Sequence, residues 1–414
     1  MTTVLRLAAA AALLTFSGCK STNVFFEDVE RTPPTRPRTA SVVYDRFGDI
    51  YPDHTVPITE AEFRATHEGG PLQYLRLSSV FRARRAAFRL NPNGVEGGSW
   101  RTLVASIGDA PPAEDTSFEA EWSRVQNALR GRVARQVRTI TESGGGARRP
   151  LIVLVHGFNN NKSEASAWYT AARKEIERRL PDPAYLEVYW DGLSTSAPPA
   201  VWGAAQYNFP LVGLEFRRLL NEIDPAVPIR VLTHSSGGPL LANAMGDASD
   251  PLDSTVAGYE RYRERARGDD PAYRIPNRAD FRVGMVAPAA APNTFARFAT
   301  GATGPDRLIL GINPSDVALT KAFLPCTALG DTCINRPPLV CRDVLDRFPT
   351  SGRTRLYLFD FSKSLHNGRY MWFWDDHAMT VYLCRDDMKP FLDVLLSEQP
   401  STPGETAQIC PSAS

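Results

Sequence analysis

The stretch Thr-His-Ser-Ser-Gly at residues 233–237 has the residue types of a nucleophile turn. Residues 229–233 are an apolar run typical of a short strand, and residues 239–245 have the spacing of a helix. A serine between such elements is lifted above the sheet edge, and the next backbone N–H points at any oxyanion that it creates. We therefore predict that Ser235 is a nucleophile and that the N–H of Ser236 is an oxyanion-hole donor.

A serine hydroxyl is a weak nucleophile that needs a base, and the base needs an acid to orient it. In this architecture the base follows the last strand of the sheet. His366 and His377 both occupy that region, and His377 is preferred because it comes directly before the closing helical segment. The alternative for His377 is a structural histidine that is hydrogen-bonded beside Asp375 and Asp376.

The candidate acid is Asp316, which follows the predicted strand 307–312 and precedes a helical run. Asp306 is the poorer candidate because it lies before that strand. Asp316 could instead simply cap the helix that follows. Capping and catalysis are compatible, so Asp316 remains the predicted acid.

The second oxyanion donor is expected in the loop after the first central strand. There the chain reads His156-Gly-Phe-Asn-Asn160. Gly157 lets the backbone approach a substrate, and the N–H of Phe158 could pair with that of Ser236. Asn159 and Trp190, with Gly157, are predicted substrate-binding residues. The alternative is a tight turn with a useful glycine.

The elements that would position these residues alternate between strands and helices. The predicted strands are 150–155, 185–190, 229–233, 280–287, 307–312 and 353–359, and the predicted helices are 118–140, 162–180, 209–223, 239–245 and 386–396. This alternation indicates an α/β protein with an open, mostly parallel sheet and helices on both faces. Short β-like runs at 41–44, 72–77 and 86–90 are either antiparallel first strands of the sheet or a small accessory element.

The N-terminus resembles a bacterial lipoprotein signal. One positive charge precedes an apolar run over residues 7–16, and Phe-Ser-Gly-Cys ends at Cys19, which would take the lipid. The alternatives are ordinary cleavage or an uncleaved anchor, although the run is short for a membrane span. We predict export to the bacterial cell envelope with a lipid anchor, on the outer membrane, facing the periplasm or the cell surface. The predicted units are a signal at 1–19, a linker at 20–40, an extension at 41–146, a catalytic domain at 147–398 and a tail at 399–414, expected to be disordered.

Composition limits the possible partners. The 414 residues are 43% hydrophobic, enough for a large core, and the formal net charge of +1 gives no electrostatic case for nucleic acid. Only six of the 47 basic residues are lysines, a bias that we attribute to codon usage. Five cysteines remain beyond Cys19, none with metal-site spacing, and we expect two disulfides within 326–384 with Cys410 free.

The His-Gly-Phe-Asn-Asn loop, the Thr-His-Ser-Ser-Gly turn and the segment Asn313-Pro-Ser-Asp316 together resemble a branch of the α/β-hydrolase superfamily. Its hallmarks are an HGFNN loop and an AHSMG-type elbow. The resemblance covers roughly residues 150–396 and implies an α/β-hydrolase fold, serine hydrolase activity and no cofactor or metal. By position it implies Ser235 as nucleophile, Asp316 as acid and His377 as base.

Thr233 replaces the first glycine of the usual G-x-S-x-G elbow and crowds the turn. The chain departs from the branch itself at three positions. Ser236 stands where methionine is common. Asp191 follows Trp190 where proline is usual, and Ala289 replaces an aspartate, which removes any role for an acid there.

The leading hypothesis is an exported serine hydrolase, carboxylesterase-like, that cleaves a small-molecule or lipid-like ester through an acyl-enzyme. A thioesterase or amidase would use the same triad. The alternative from another class is a non-catalytic surface lipoprotein that uses the fold as a binding scaffold.

Overall fold

The structure of the protein is a computed structural model. It describes residues 35–52, 77–107, 116–142, 148–192, 208–246, 273–274, 278, 280–290, 304–313, 316–320, 354–364, 377–398 and 407–410. Among them is an eight-stranded sheet with the order β1-β3-β2-β4-β5-β6-β7-β8. The strands are β1 (Thr39–Tyr44), β2 (Leu151–Val155), β3 (Ala184–Trp190), β4 (Ile229–His234), β5 (Phe281–Val286), β6 (Arg307–Ile312), β7 (Arg355–Asp360) and β8 (Ala407–Cys410). Strands β1 to β7 are parallel, and β8 joins the sheet antiparallel to β7.

Helices cover both faces of this sheet. They are α1 (Leu77–Leu90), α2 (Val95–Ser106), α3 (Phe118–Thr141), α4 (Lys162–Glu177), α5 (Asn208–Glu222), α6 (Gly237–Met245), α7 (Val317–Thr320), α8 (Met379–Leu383) and α9 (Met388–Leu396), with a 3-10 turn at Phe361–Ser364. Helices α3, α5 and α6 pack side by side on one face. Helix α4 contacts α8 and is joined to α9 by the Arg179–Asp393 ion pair, so these three form the other layer.

The central strands form because their sequences are continuous apolar runs. Every residue of β2 through β6 is buried, as expected when helices cover both faces of a parallel sheet. The turns that follow β2, β4 and β6 therefore meet at the carboxyl edge of the sheet. The prediction of an α/β protein with a mostly parallel sheet and helices on both faces is confirmed.

The N-terminal part differs from the sequence-based expectation. Residues 41–44 do form a strand, but β1 pairs parallel to β3. Residues 86–90, predicted to be β-like, belong to helix α1. The five-residue window was too short to reveal the helical spacing, because the buried positions that define it lie earlier in α1, at Leu77, Val80 and Phe81. Residues 72–76 lie outside the described residues.

The C-terminal part also differs. The tail expected to be disordered contains β8, which pairs with β7 from Phe359↔Ala407 to Leu356↔Cys410. Four residues with alternating polarity gave too weak a signal to predict a strand. Within the described part of the chain, no helix is long and apolar enough to cross a membrane.

Candidate active site

Ser235 lies on a strained turn between β4 and α6. Its backbone has φ +51°, in the left-handed region that side chains other than glycine rarely adopt. Three backbone hydrogen bonds hold this conformation: the Ser235 N–H donates to Val286, and its carbonyl accepts from Gly238 and Ala289. The turn is thus fixed to β5 and the loop after it, and the strain is supported by neighbouring structure.

Two glycines make this turn possible by letting backbones approach closely. A Cβ on Gly157 would lie 2.8 Å from Ser235 Cβ, and a Cβ on Gly237 would lie 2.6 Å from the Val155 carbonyl oxygen. A Cβ on Gly237 would also lie 3.3 Å from the Cβ of Thr233, so the glycine leaves room for that side chain. The β-branched residue in place of the usual glycine is therefore accommodated.

His377 connects the serine to a carboxylate. Its Nε2 lies 2.8 Å from Ser235 Oγ, and its Nδ1 lies 2.6 Å from Asp316 Oδ2. A carboxylate only accepts hydrogen bonds, so Nδ1 carries the proton and Nε2 is left to accept one from the serine. His377 is 61 residues from Asp316 and 142 residues from Ser235 in the sequence. The three side chains nevertheless form one continuous chain of hydrogen bonds.

Asp316 is fully buried, yet it remains ionised. Burial alone would raise the pKa of its carboxyl, but the nearby His377 and the hydrogen bonds it accepts lower that pKa below its usual value. Oδ1 accepts from the N–H groups of Ala318 and Leu319, and Oδ2 accepts from His377 and Tyr382. Asp316 therefore caps α7 and faces His377, so both of its predicted roles are compatible with the geometry.

His234, one residue before Ser235, packs on His377. Its ring centroid lies 4.8 Å from that of His377, and its side chain is buried. Burial, and then the proximity of His377, lower the pKa of His234 to about 3. A neutral imidazole therefore stands against the imidazole of His377, a contact that a sequence motif alone does not reveal.

The loop after β2 is fixed from below by His156. Its Nδ1 contacts the Gly157 carbonyl at 2.8 Å, and its Nε2 accepts from the Trp190 N–H at 3.0 Å. The His156 N–H donates to the Tyr169 hydroxyl, which in turn bonds the Val188 carbonyl. Burial lowers the pKa of His156 to about 4, so the ring stays neutral and holds Gly157 beside Ser235.

Trp190 has a different place from the one predicted. It is fully buried, its ring stacks on His156, and its indole N–H donates to the His156 carbonyl. Trp190 therefore supports the loop from beneath and is not placed to contact a substrate. Trp190 was predicted to bind substrate, but its side chain is buried in the core.

The remaining predicted residues of the site lie in the loop after β2 and at the start of α6. Phe158 is partly buried against the core, and Asn159 has φ +56° with its N–H 3.4 Å from the Gly192 carbonyl. Ser236 is buried at the start of α6, where backbone N–H groups have no partner within the helix. The oxyanion-hole and substrate-binding roles of these residues stay predictions.

Some predicted features fall elsewhere. Asp306, the rival acid, accepts from the Phe281 N–H at the opposite edge of the sheet and is far from the triad. Cys384 is an exposed free cysteine, so it is not part of the bridges expected within 326–384. Cys19, His366 and the other cysteines of that segment lie outside the described residues. Among the described residues, no cluster of His, Cys, Asp and Glu could hold a metal ion.

Comparison with protein-family models matched none of them, and comparison with curated proteins found no relative.

Proposed function

We propose that this chain is a serine hydrolase of the α/β-hydrolase superfamily. The observation that carries the proposal is the bond chain Ser235 Oγ–His377 Nε2 at 2.8 Å and His377 Nδ1–Asp316 Oδ2 at 2.6 Å. It ends on a serine with φ +51° at a strand-to-helix turn. Nucleophile, acid and base follow β4, β6 and β7 in that order, which is the chain order expected in that superfamily.

The proposed reaction is the cleavage of an ester. His377 Nε2 takes the Ser235 proton while Oγ bonds to the ester carbonyl carbon, and the carbonyl electron pair moves onto oxygen. The N–H groups of Phe158 and Ser236 receive that oxyanion. The proton then passes from His377 to the leaving alkoxide, which departs as an alcohol.

The resulting acyl-serine is hydrolysed by the same groups. His377 takes a proton from water, the hydroxide attacks the acyl carbon, and Ser235 Oγ leaves with the proton that returns from Nε2. Asp316 keeps the imidazole in one tautomer and stabilises its cation. No cofactor takes part in this scheme.

A fluorophosphonate probe tests the proposal directly, because it labels only an activated serine. We expect the wild-type protein to be labelled and Ser235→Ala to remain unlabelled. Equal labelling of both, or no labelling of either, would mean that the chain is instead a non-catalytic scaffold or that the nucleophile lies elsewhere. A panel of acyl esters, thioesters and amides against the same pair of proteins then assigns the bond.

We further propose that the protein is exported and lipid-anchored through Cys19 in the bacterial cell envelope. This proposal rests on the charged start, the apolar run and the Phe-Ser-Gly-Cys sequence that ends at Cys19. Metabolic labelling with a fatty acid should mark the wild-type protein and not Cys19→Ala. Incorporation of label into both would refute the anchor.

A further inference from the structure

Tyr382, in helix α8, contacts the candidate acid from behind. Its hydroxyl lies 2.6 Å from Asp316 Oδ2, the same oxygen that His377 Nδ1 approaches. The side chain is fully buried, and its ring lies 5.6 Å from that of Phe361. Tyr382 therefore has no route to a substrate, and any effect that it has must pass through Asp316.

The direction of the hydroxyl proton is set by a third residue. Asn313 Nδ2 lies 2.9 Å from the Tyr382 oxygen, and an amide nitrogen can only donate. The tyrosine oxygen thus accepts from Asn313, and its own proton is directed to Asp316. The hydrogen bonds run in one direction, from Asn313 through Tyr382 to Asp316. Asp316 also accepts the Nδ1 proton of His377.

We propose that Tyr382, oriented by Asn313, is a positioning residue that fixes the Asp316 carboxylate toward His377 and moderates the negative charge that His377 meets. This inference rests on the proposed hydrolase function. Burial, together with the charge of Asp316, raises the pKa of Tyr382 well above its usual value, so the hydroxyl keeps its proton and remains a donor.

The other groups around this chain do not change charge in the working range. His234 lies 6.0 Å from the Tyr382 ring and 4.8 Å from the His377 ring, and its pKa near 3 keeps it neutral. The Arg385 guanidinium lies 4.1 Å over the Tyr382 ring, donates to the Phe361 carbonyl and stays charged. A change in pH dependence on removal of the hydroxyl therefore reports on the Asp316–His377 pair.

The test is Tyr382→Phe, which keeps the ring and removes the hydroxyl. With one donor lost from Oδ2, the carboxylate is less well fixed and its charge is less dispersed. We expect kcat to fall about tenfold with KM within about twofold, as for loss of a hydrogen bond to a charged group outside the substrate site. Because the charge then favours protonated His377 more, the acid limb of the kcat/KM profile should move up by about half a pH unit.

Tyr189→Phe is the matched control. The Tyr189 hydroxyl also donates to a buried carboxylate, Glu187 Oε2 at 2.8 Å, but that pair lies outside the triad. We expect this variant to keep the wild-type pH profile and kcat within about twofold, because it removes the same type of bond elsewhere.

Asn313→Ala gives a second, independent variant if Tyr382→Phe does not fold. Without the amide donor the tyrosine becomes a weaker donor, so the acid limb should move the same way by a smaller amount. The proposal is overturned if neither variant shifts the limb, if Tyr382→Phe loses no more kcat than Tyr189→Phe, or if it raises KM alone. A separate outcome concerns the hydrolase function itself: it is refuted if the fluorophosphonate probe does not label the wild-type protein.

Discussion

Polar side chains are buried at both edges of the parallel sheet, but their hydrogen-bond partners differ. At the amino edge, Arg230, Arg282 and Arg307 occupy the same row of three neighbouring strands. At the carboxyl edge, Ser235, Asp316 and His377 are joined in one bond chain. The amino edge holds like charges in one row, each of which needs partners, whereas the carboxyl edge holds a hydroxyl, an imidazole and a carboxylate joined by hydrogen bonds.

The amino-edge arginines are occupied by carbonyls and one carboxylate. Arg307 donates to the carbonyls of Val394, Ser397 and Glu398, and Arg282 donates to those of Leu395 and Ser397. These groups stabilise the C-terminal end of α9, where the helix dipole is negative. Asp280 pairs with Arg230 and Arg282.

The same use of arginine recurs at other helix ends. Arg217 donates to the carbonyls of Asn243, Ala244 and Gly246 at the end of α6, the helix that follows Ser235. Arg278 does so at the end of α5, through Leu220 and Ile223. The arginine bias that we attributed to codon usage thus has a structural use: five donors in a planar fork can satisfy several carbonyls at once.

At the carboxyl edge, three residues have positive φ in turns that follow strands: Asn159, Ser235 and Ala287. Positive φ is not confined to this edge, because Arg38 and Asp182 adopt it just before β1 and β3. Hydrogen bonds and ion pairs of the arginines make the amino edge a source of stability. At the carboxyl edge, the supported strain of the turn places the Ser235 hydroxyl within hydrogen-bond distance of His377.

The largest effect is expected for Asp316→Asn. The amide nitrogen would face His377 Nδ1 and favour the wrong tautomer, so kcat should fall by about 10⁴-fold. Asp306→Asn, the rival acid at the amino edge, should leave kcat unchanged within about twofold because its carboxylate lies at the opposite edge of the sheet, where it accepts from the Phe281 N–H. Steady-state kinetics on both variants measure the contrast; similar losses would erase the difference between the edges.

Gly157→Ala should be the next most severe. Its Cβ would lie 2.8 Å from Ser235 Cβ and 3.1 Å from the His234 carbonyl oxygen, which displaces the loop or the serine. A displaced oxyanion donor typically lowers kcat by about 10²–10³-fold. Gly131→Ala in α3 is the control, since its Cβ would meet only ordinary contacts at 3.5 Å or more. That variant should stay fully active and gain about 0.5 kcal/mol in free energy of unfolding.

Arg307→Leu should affect stability and leave catalysis intact. Three carbonyls at the end of α9 would lose their charged donor, which we expect to lower the free energy of unfolding by about 3 kcal/mol. Arg355→Leu, the exposed next member of the same row, should cost less than about 0.5 kcal/mol. Urea unfolding and kcat are the measurements; a large kcat loss in folded Arg307→Leu would contradict the separation of roles.

The smallest expected effect is a change in the free energy of unfolding with pH. The pKa values of His156 and His234 lie near 4 and 3, below the usual 6.5, so the unfolded chain binds more protons below pH 6.5. Their stabilisation is fully present above that pH and is lost as pH falls, by about 1.4 kcal/mol per pH unit for each histidine. Urea unfolding between pH 7 and pH 5 measures how the free energy of unfolding changes with pH. His234→Asn should reduce that slope by the contribution of one proton. An unchanged slope would exclude His234 as a source.

The sequence alone predicted six strands of the parallel sheet and the three residues of the candidate site, whereas β8 and the parallel pairing of β1 were not predicted. Uninterrupted apolar runs such as 151–155 identify buried parallel strands, because only strands covered on both faces can be apolar throughout. Ser235, Asp316 and His377 could be selected since each follows a strand of such a sheet and chain order assigns their roles. The structure brings these three together, and their catalytic role remains the proposal above.

What depends on side-chain direction was decided only by the tertiary structure. Trp190 was predicted to bind substrate, but packing of the layers around the sheet buries its ring against His156. Tyr382 was one aromatic residue among many, and its bond to Asp316 joins positions 66 residues apart. The row of arginines depends on the strand register, which places Arg230, Arg282 and Arg307 side by side. Local patterns specify which segments become strands and helices, whereas hydrogen-bond partners distant in sequence depend on how those segments pack.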